Sequence, residues 1–381
     1  MGRADVPGLG PALGRLVLIY WVMFAVPAVF ALLEPTGARA RAASSARLRA
    51  RASFLWLLVS FALVTIIGLR WETGGDWGSY DRMVQSALWT EDRYGLLGDP
   101  GFRALTVLAA QSAYGMLVVT FVSAVVVTVG LLRFCLAQPR PWLCLAVAVP
   151  YFVVVMGMGY IRQGMAVSLL LIALIAVQNG SVTRFIGWVL AAAMFHSTAL
   201  IFLPLALFMA RVHPFARLML LIGAAIVLGL AATGERTGLL LTNYVDQEMT
   251  SSGAVVRLAM TALPGAILLY WRARFDLAPS ERWIWMMLSA AGIAALALVL
   301  VFPTSTAIDR IGLYLLPLQL FVYSRLPDAL AGDDRTARVL ATAVIALYAA
   351  AFFVWLNYAV NVEYWLPYRF FLFEDGACLE C

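Results

Sequence analysis

Residues 115–136 read GMLVVTFVSAVVVTVGLLRFCL, and Arg133 is the one charged side chain among them. At about 1.5 Å rise per residue, a helix of this length crosses the roughly 30 Å hydrocarbon core of a bilayer. The stretch shows no alternation of apolar and polar positions and is about twice as long as a membrane β-strand, so a transmembrane barrel is excluded. It reads as a transmembrane helix. Comparable runs recur along the chain, near 13–33, 54–69, 142–159, 161–177, 185–196, 198–210, 217–233, 255–271, 283–302, 308–324 and 339–358. The composition agrees: 63% of the 381 residues are hydrophobic and 13% charged, with mean hydropathy +0.88. A soluble domain carries about a quarter charged residues, and a globule this apolar could not cover its surface with polar groups. Soluble enzymes, disordered chains and secreted disulfide scaffolds are excluded together. The expected fold is an all-α polytopic membrane protein of about twelve transmembrane helices.

Orientation follows from the arginines. All 27 basic residues are arginine, so every fixed cation is a planar guanidinium suited to paired oxyanions. Arg39, Arg41, Arg47, Arg49 and Arg51 crowd the loop after the first span, which places that loop in the cytoplasm. Arg133, Arg140, Arg184, Arg211, Arg217, Arg272, Arg274, Arg282, Arg325, Arg335 and Arg338 then fall on the same side. Both termini are expected outside, and the first span reads as retained rather than as a cleaved signal. Residues 1–381 form one membrane domain. Its outer parts are a loop over 70–114, with 102–114 spaced as a short surface helix, a second loop over 234–254, and a tail over 359–381. Cys135 and Cys144 read as packing residues. Cys378 and Cys381 form a terminal C-x-x-C that an oxidising compartment would allow to close.

The remaining ionisable residues gather at the outer ends of spans, where charge is costly and is functional by default. Arg70-Trp71-Glu72-Thr73-Gly74-Gly75-Asp76-Trp77 through Tyr80 pairs charge with glycine turns and with aromatics suited to an interface or a sugar face. Gly157-Met158-Gly159-Tyr160-Ile161-Arg162-Gln163-Gly164 opens a descending helix, where a helix N-terminus and a guanidinium together suit a phosphate. Phe195-His196-Ser197 lies at another outer turn, whereas His213 belongs to a cytoplasmic one. Asp309, Arg310 and Tyr314 open a further descending helix, and Arg257 and Arg369 add cations on the same side. Asp309 and Arg310 are adjacent and so do not face each other. No Asp-x-Asp or Gly-rich phosphate loop is present, which argues against a nucleotide-sugar donor.

The order of these motifs resembles the EpsG family. It runs from Arg and Gly-Gly-Asp-Trp-x-x-Tyr through Ile-Arg-Gln-Gly-x-Ala, Phe-His-Ser-Thr-Ala-Leu and Asp-Arg-x-x-x-Tyr to a closing Pro-Tyr-Arg, over residues 69–372. The resemblance implies a Wzy-like bacterial exopolysaccharide or O-antigen polymerase with GT-C-like architecture. Such an enzyme is a glycosyltransferase that joins undecaprenyl-diphosphate-linked oligosaccharides on the periplasmic face of the inner membrane. Arg70, Asp76, Arg162, Gln163, His196, Arg310 and Tyr314 are the positions its motifs carry over.

The residue types suit that chemistry. Arginines can stabilise a diphosphate leaving group without metal, and Asp76 or His196 can take the acceptor proton. The expected site is therefore Asp76, His196 and Arg162 for catalysis. Arg70, Trp77, Tyr80, Gln163, Arg257, Asp309, Arg310, Tyr314 and Arg369 are expected to bind substrate, and no metal or cofactor is expected. Expected partners are the lipid-linked oligosaccharide, membrane lipid, a flippase and a chain-length regulator, with no nucleic acid. An O-antigen ligase-like enzyme and a transporter or flippase of lipid-linked sugars are the rival readings. A transporter would carry ionisable groups near the midplane.

Overall fold

The structure is a computed structural model that describes residues 9–34, 54–89, 99–209, 253–302 and 306–374. The arginine loop from Arg39 to Arg51, Arg211, His213, Arg217, the expected span 217–233, nearly all of the loop 234–254, and Cys378 and Cys381 lie outside these residues.

The described chain is helical almost throughout. In order come α1 (Leu9–Leu33), α2 (Phe54–Gly68), α3 (Trp77–Ser86), α4 (Pro100–Ala110), α5 (Met116–Ala137), α6 (Pro141–Ala148), α7 (Ile161–Gln178) and α8 (Val182–Ala193). A 3-10 segment, Ser197–Leu205, leads into α9 (Ala206–Met209), followed by α10 (Ala254–Tyr270), α11 (Pro279–Val301), α12 (Thr306–Gly312), α13 (Leu316–Leu330) and α14 (Asp334–Tyr358). Among the described residues four helices are long and apolar enough to cross a membrane: α5, α7, the Glu281–Val301 part of α11, and α14. Six shorter apolar helices accompany them. The chain is an all-α membrane protein.

Helix α7 is the axis of the bundle. Protein encloses 83% of its most apolar stretch, against 28% for α14, whose outward Val339, Phe353 and Val354 are left for lipid. Without a hydrophobic force between helices in lipid, small residues allow close approach. Gly130 of α5 does so here, because a Cβ there would stand 2.3 Å from the Ser168 carbonyl oxygen of α7.

Polar contacts sort the helix ends into two groups. At one end Glu34 accepts the N–H groups of Trp142 and Leu143 at 2.8 and 3.4 Å, capping α6. Arg140 forks onto Asp328 at 3.0 and 2.7 Å, tying the start of α6 to the end of α13. Trp142 stacks on Phe30 and Trp56. The end of α1 thus meets the starts of α2 and α6 and the end of α13, as alternating crossings require. The expected site residues collect at the opposite end.

Two expected spans differ in form. The run 142–159 is helical through Ala148 and then winds as a π-helix over Val149–Gly157. Pro150, just inside that change, has no N–H for an α-helical bond. The run 308–324 is not one helix. It breaks into α12, a 3-10 turn over Leu313–Leu315, and α13, which continues to Leu330. Pro317 cannot donate back to the preceding turn.

Candidate functional site

The loop after α2 is built around two residues that allow no substitute in kind. Gly74 has φ +115°, its N–H donates to the Tyr364 carbonyl at 2.7 Å, and a Cβ on it would lie 2.3 Å from the Met158 oxygen. Arg70 is fully buried. Its guanidinium donates to the carbonyls of Thr73 at 3.0 Å, Met158 at 2.9 Å, and Ile67. The strand Arg70–Trp71 (β1) pairs antiparallel with Arg369–Phe370 (β2), and Trp365 lays its ring beside Gly159 and Gly75 while its Nε1 donates to the Val154 oxygen at 2.9 Å. The loop, the 158–160 turn and the closing segment of the chain thereby form one platform.

Asp76 stands on that platform as the N-cap of α3, half-buried and making no capping hydrogen bond. Burial pushes its carboxyl above the usual range, while Arg310 and Arg162 pull it back. The same two arginines act on His196, whose imidazole burial pushes down to about 4, with Asp99 opposing. His196 is therefore neutral at pH 7. Its Nδ1 lies 2.9 Å from the Tyr314 hydroxyl. Asp76, Arg162, His196 and Arg310 share one electrostatic neighbourhood although they come from four separate segments.

Each arginine is oriented by another group. Arg162 donates from one terminal nitrogen to Asp99 at 3.0 Å, and its guanidinium lies 5.9 Å from the Tyr80 ring centre and 5.8 Å from that of Phe102. Gln163, buried, donates to the Arg310 carbonyl at 2.7 Å and so fixes the start of the broken α12–α13 segment. Arg257 forks onto Asp309 at 2.9 and 2.6 Å, an ion pair across helices rather than between chain neighbours. A cleft adjoins this pair, lined by Tyr151, Thr261, Gly312 and Gln319 among others. Among the described residues no three His, Cys, Asp or Glu side chains come together as metal ligands.

The chain matches the model of the EpsG family over residues 53–370. It belongs to the EpsG family. No curated protein and no solved structure matches it. EpsG is a polysaccharide polymerase family, and the motifs that carry the resemblance in this member are the ones the fold brings together.

Several expected binding residues have another occupation in this EpsG chain. Arg70 faces backbone carbonyls, not open space. Trp77 and Tyr80 are buried with Val84, Phe102 and Leu105 in an aromatic and aliphatic cluster, so they wall the site from behind instead of offering open sugar faces. Arg369 and Glu72 pair with each other at the exposed rim. Asp99, one of six acids in the outer segment, is the residue that motif reading passed over. Its sequence signal, Asp-Pro-Gly, marks a helix start; the partners of its carboxylate lie 63 and 98 residues away.

Proposed function

We infer that this protein polymerises lipid-linked oligosaccharide repeat units at the outer ends of about twelve membrane crossings, on the periplasmic face of a bacterial inner membrane. The observation that carries this reading is the convergence of Asp76, a carboxylate with no capping bond, with Arg162 and Arg310. The donor is a growing chain on undecaprenyl diphosphate, and the acceptor is a hydroxyl of the incoming lipid-linked unit.

The residues divide the chemistry. The bond from the donor sugar C1 to the phosphate oxygen breaks as a new bond from C1 to the acceptor oxygen forms. Asp76 takes the acceptor proton, and the electron pair of the broken bond leaves on the diphosphate. Arg162 and Arg310, with Arg257 held by Asp309, stabilise that developing charge in a partly dry site where fixed cations act strongly. His196, neutral and paired with Tyr314, orients the acceptor. The flippase that delivers the substrate and a regulator of chain length are the partner proteins this activity calls for.

The test is the purified protein in detergent with a lipid-linked repeat unit. A ladder of chain lengths supports polymerisation. Transfer of finished chains to an unrelated acceptor without a ladder would favour the ligase reading, and movement of the unit across a vesicle without new bonds would favour a transporter.

A further inference from the structure

Asp99 adopts a left-handed backbone, φ 54° and ψ 61°, immediately before Pro100. That conformation is uncommon for a side-chain-bearing residue, and a following proline disfavours helical backbone further. Such strain persists where the surroundings over-determine it. Here they do so through the carboxylate, which is nearly enclosed by protein. One oxygen accepts the Arg162 guanidinium at 3.0 Å and the other accepts the Ser197 N–H at 2.8 Å. The N–H groups of Gly101 and Phe102, in the first turn of α4, return to the Met194 oxygen at 2.8 and 3.2 Å. The start of α4, the start of α7 and the turn carrying His196 are therefore joined within a few ångströms.

The guanidinium keeps one buried donor without a partner. Asp99 holds a terminal nitrogen, the rings of Tyr80 and Phe102 lie alongside, and Nε is buried without a hydrogen-bond partner. A buried donor without a partner calls for an explanation. An oxyanion bound at the Nε edge would supply one.

We propose that Asp99 is a positioning residue for the reaction, holding Arg162 so that its Nε edge meets a diphosphate oxygen and fixing the His196 turn at the same distance. The proposal rests on the polymerase reading for its substrate, and it acts through Arg162 rather than by contact with the reacting atoms. Asp99→Asn keeps the left-handed backbone, which asparagine tolerates, and keeps an acceptor for Ser197, but removes the charge that orders Arg162. A charge-assisted hydrogen bond lost in this way corresponds to about a 10- to 100-fold weakening.

The probe is farnesyl diphosphate, a short isoprenoid diphosphate, titrated into the full-length protein in detergent, beside polymer assays on lipid-linked units. Asp99→Asn is expected to melt close to the wild type, to weaken farnesyl diphosphate binding by about tenfold or more, and to raise KM more than it lowers kcat. In an Arg162→Gln background the same change is expected to add almost nothing, because its effect passes through the arginine. Losses that multiply in the double variant, or unchanged binding in Asp99→Asn, would overturn the proposal. If Asp99→Asn does not fold, Asp99→Gly, which relieves the backbone, takes its place; loss of fold in both assigns a purely structural role and also overturns it. Coupled losses of binding in a wild type that makes no polymer would leave this assignment standing and defeat the polymerase reading.

Discussion

Replacing Arg70 by Met separates a scaffold residue from a substrate contact. Sequence motifs place Arg70 among the substrate contacts, whereas its fully buried guanidinium is directed at the carbonyls of Ile67, Thr73 and Met158. Methionine fills much of the volume and supplies no donor. At about 1–3 kcal/mol for each buried group left unsatisfied, the three carbonyls cost about 3–9 kcal/mol. An opposing term comes from the cation itself. Burial pushes the guanidinium down to about 10, which disfavours the charged form by about 3 kcal/mol and is relieved on substitution. The net loss centres on about 3 kcal/mol, a large share of an ordinary folding free energy. It falls on the platform that carries Asp76, because Met158 and Thr73 lie on both sides of that loop. Unfolding in mixed micelles with increasing sodium dodecyl sulfate, followed by tryptophan fluorescence, measures the loss. Farnesyl diphosphate binding, corrected to the folded fraction, measures the site. Lower stability with binding preserved is the expected pair of results. Wild-type stability with binding abolished would refute the reasoning and return Arg70 to the diphosphate.

Asp76→Asn is expected to stop polymer formation while diphosphate binding survives, since it removes the base and keeps the shape. Because burial raises the Asp76 carboxyl and a base must be deprotonated, the acid limb of kcat/KM is expected above the ordinary carboxylate range; a limb at or below that range would exclude Asp76 as the base. A cysteine at Ser79 is expected to react with an impermeant thiol reagent in intact spheroplasts and one at Ser45 to stay protected, and the reverse pattern would put the site in the cytoplasm. Polymer formation is expected to continue in chelator; activity lost there and restored by a divalent ion would make Asp76 and Glu72 ligand candidates and end the arginine account of leaving-group stabilisation.

The fold was legible because lipid imposes a simple rule on composition. Long apolar runs must be helices that satisfy their own backbone, and the runs 115–136 and 161–177 lie within a residue of α5 and α7. The breaks were harder to read, since the 308–324 run is predominantly apolar after Arg310 and its division depends on Pro317 and on Gly312 packing against Leu258. Residue type showed where charge was costly, and hence which segments hold the site. It could not show what each charge faces. Arg70 and Arg162 both stand beside glycine-rich turns at outer helix ends and read alike, yet one is enclosed by carbonyls and the other pairs with Asp99 and keeps its buried Nε without a hydrogen-bond partner. The difference lies in partners far off in sequence, Asp99 at 63 residues from Arg162 and Met158 at 88 residues from Arg70, which no local motif encodes. Gln163 shows the same separation. Its place in Ile-Arg-Gln-Gly suggests a ligand contact, but its amide holds the Arg310 backbone, so its side chain acts on the site by fixing where the second arginine begins. A site assembled from four distant segments needs such ties, because arginines free to move apart in a low-dielectric setting would do so by mutual repulsion. Asp99, Gln163 and Asp309 each hold an arginine side chain or its backbone in place, and that restraint lets several cations face one anion.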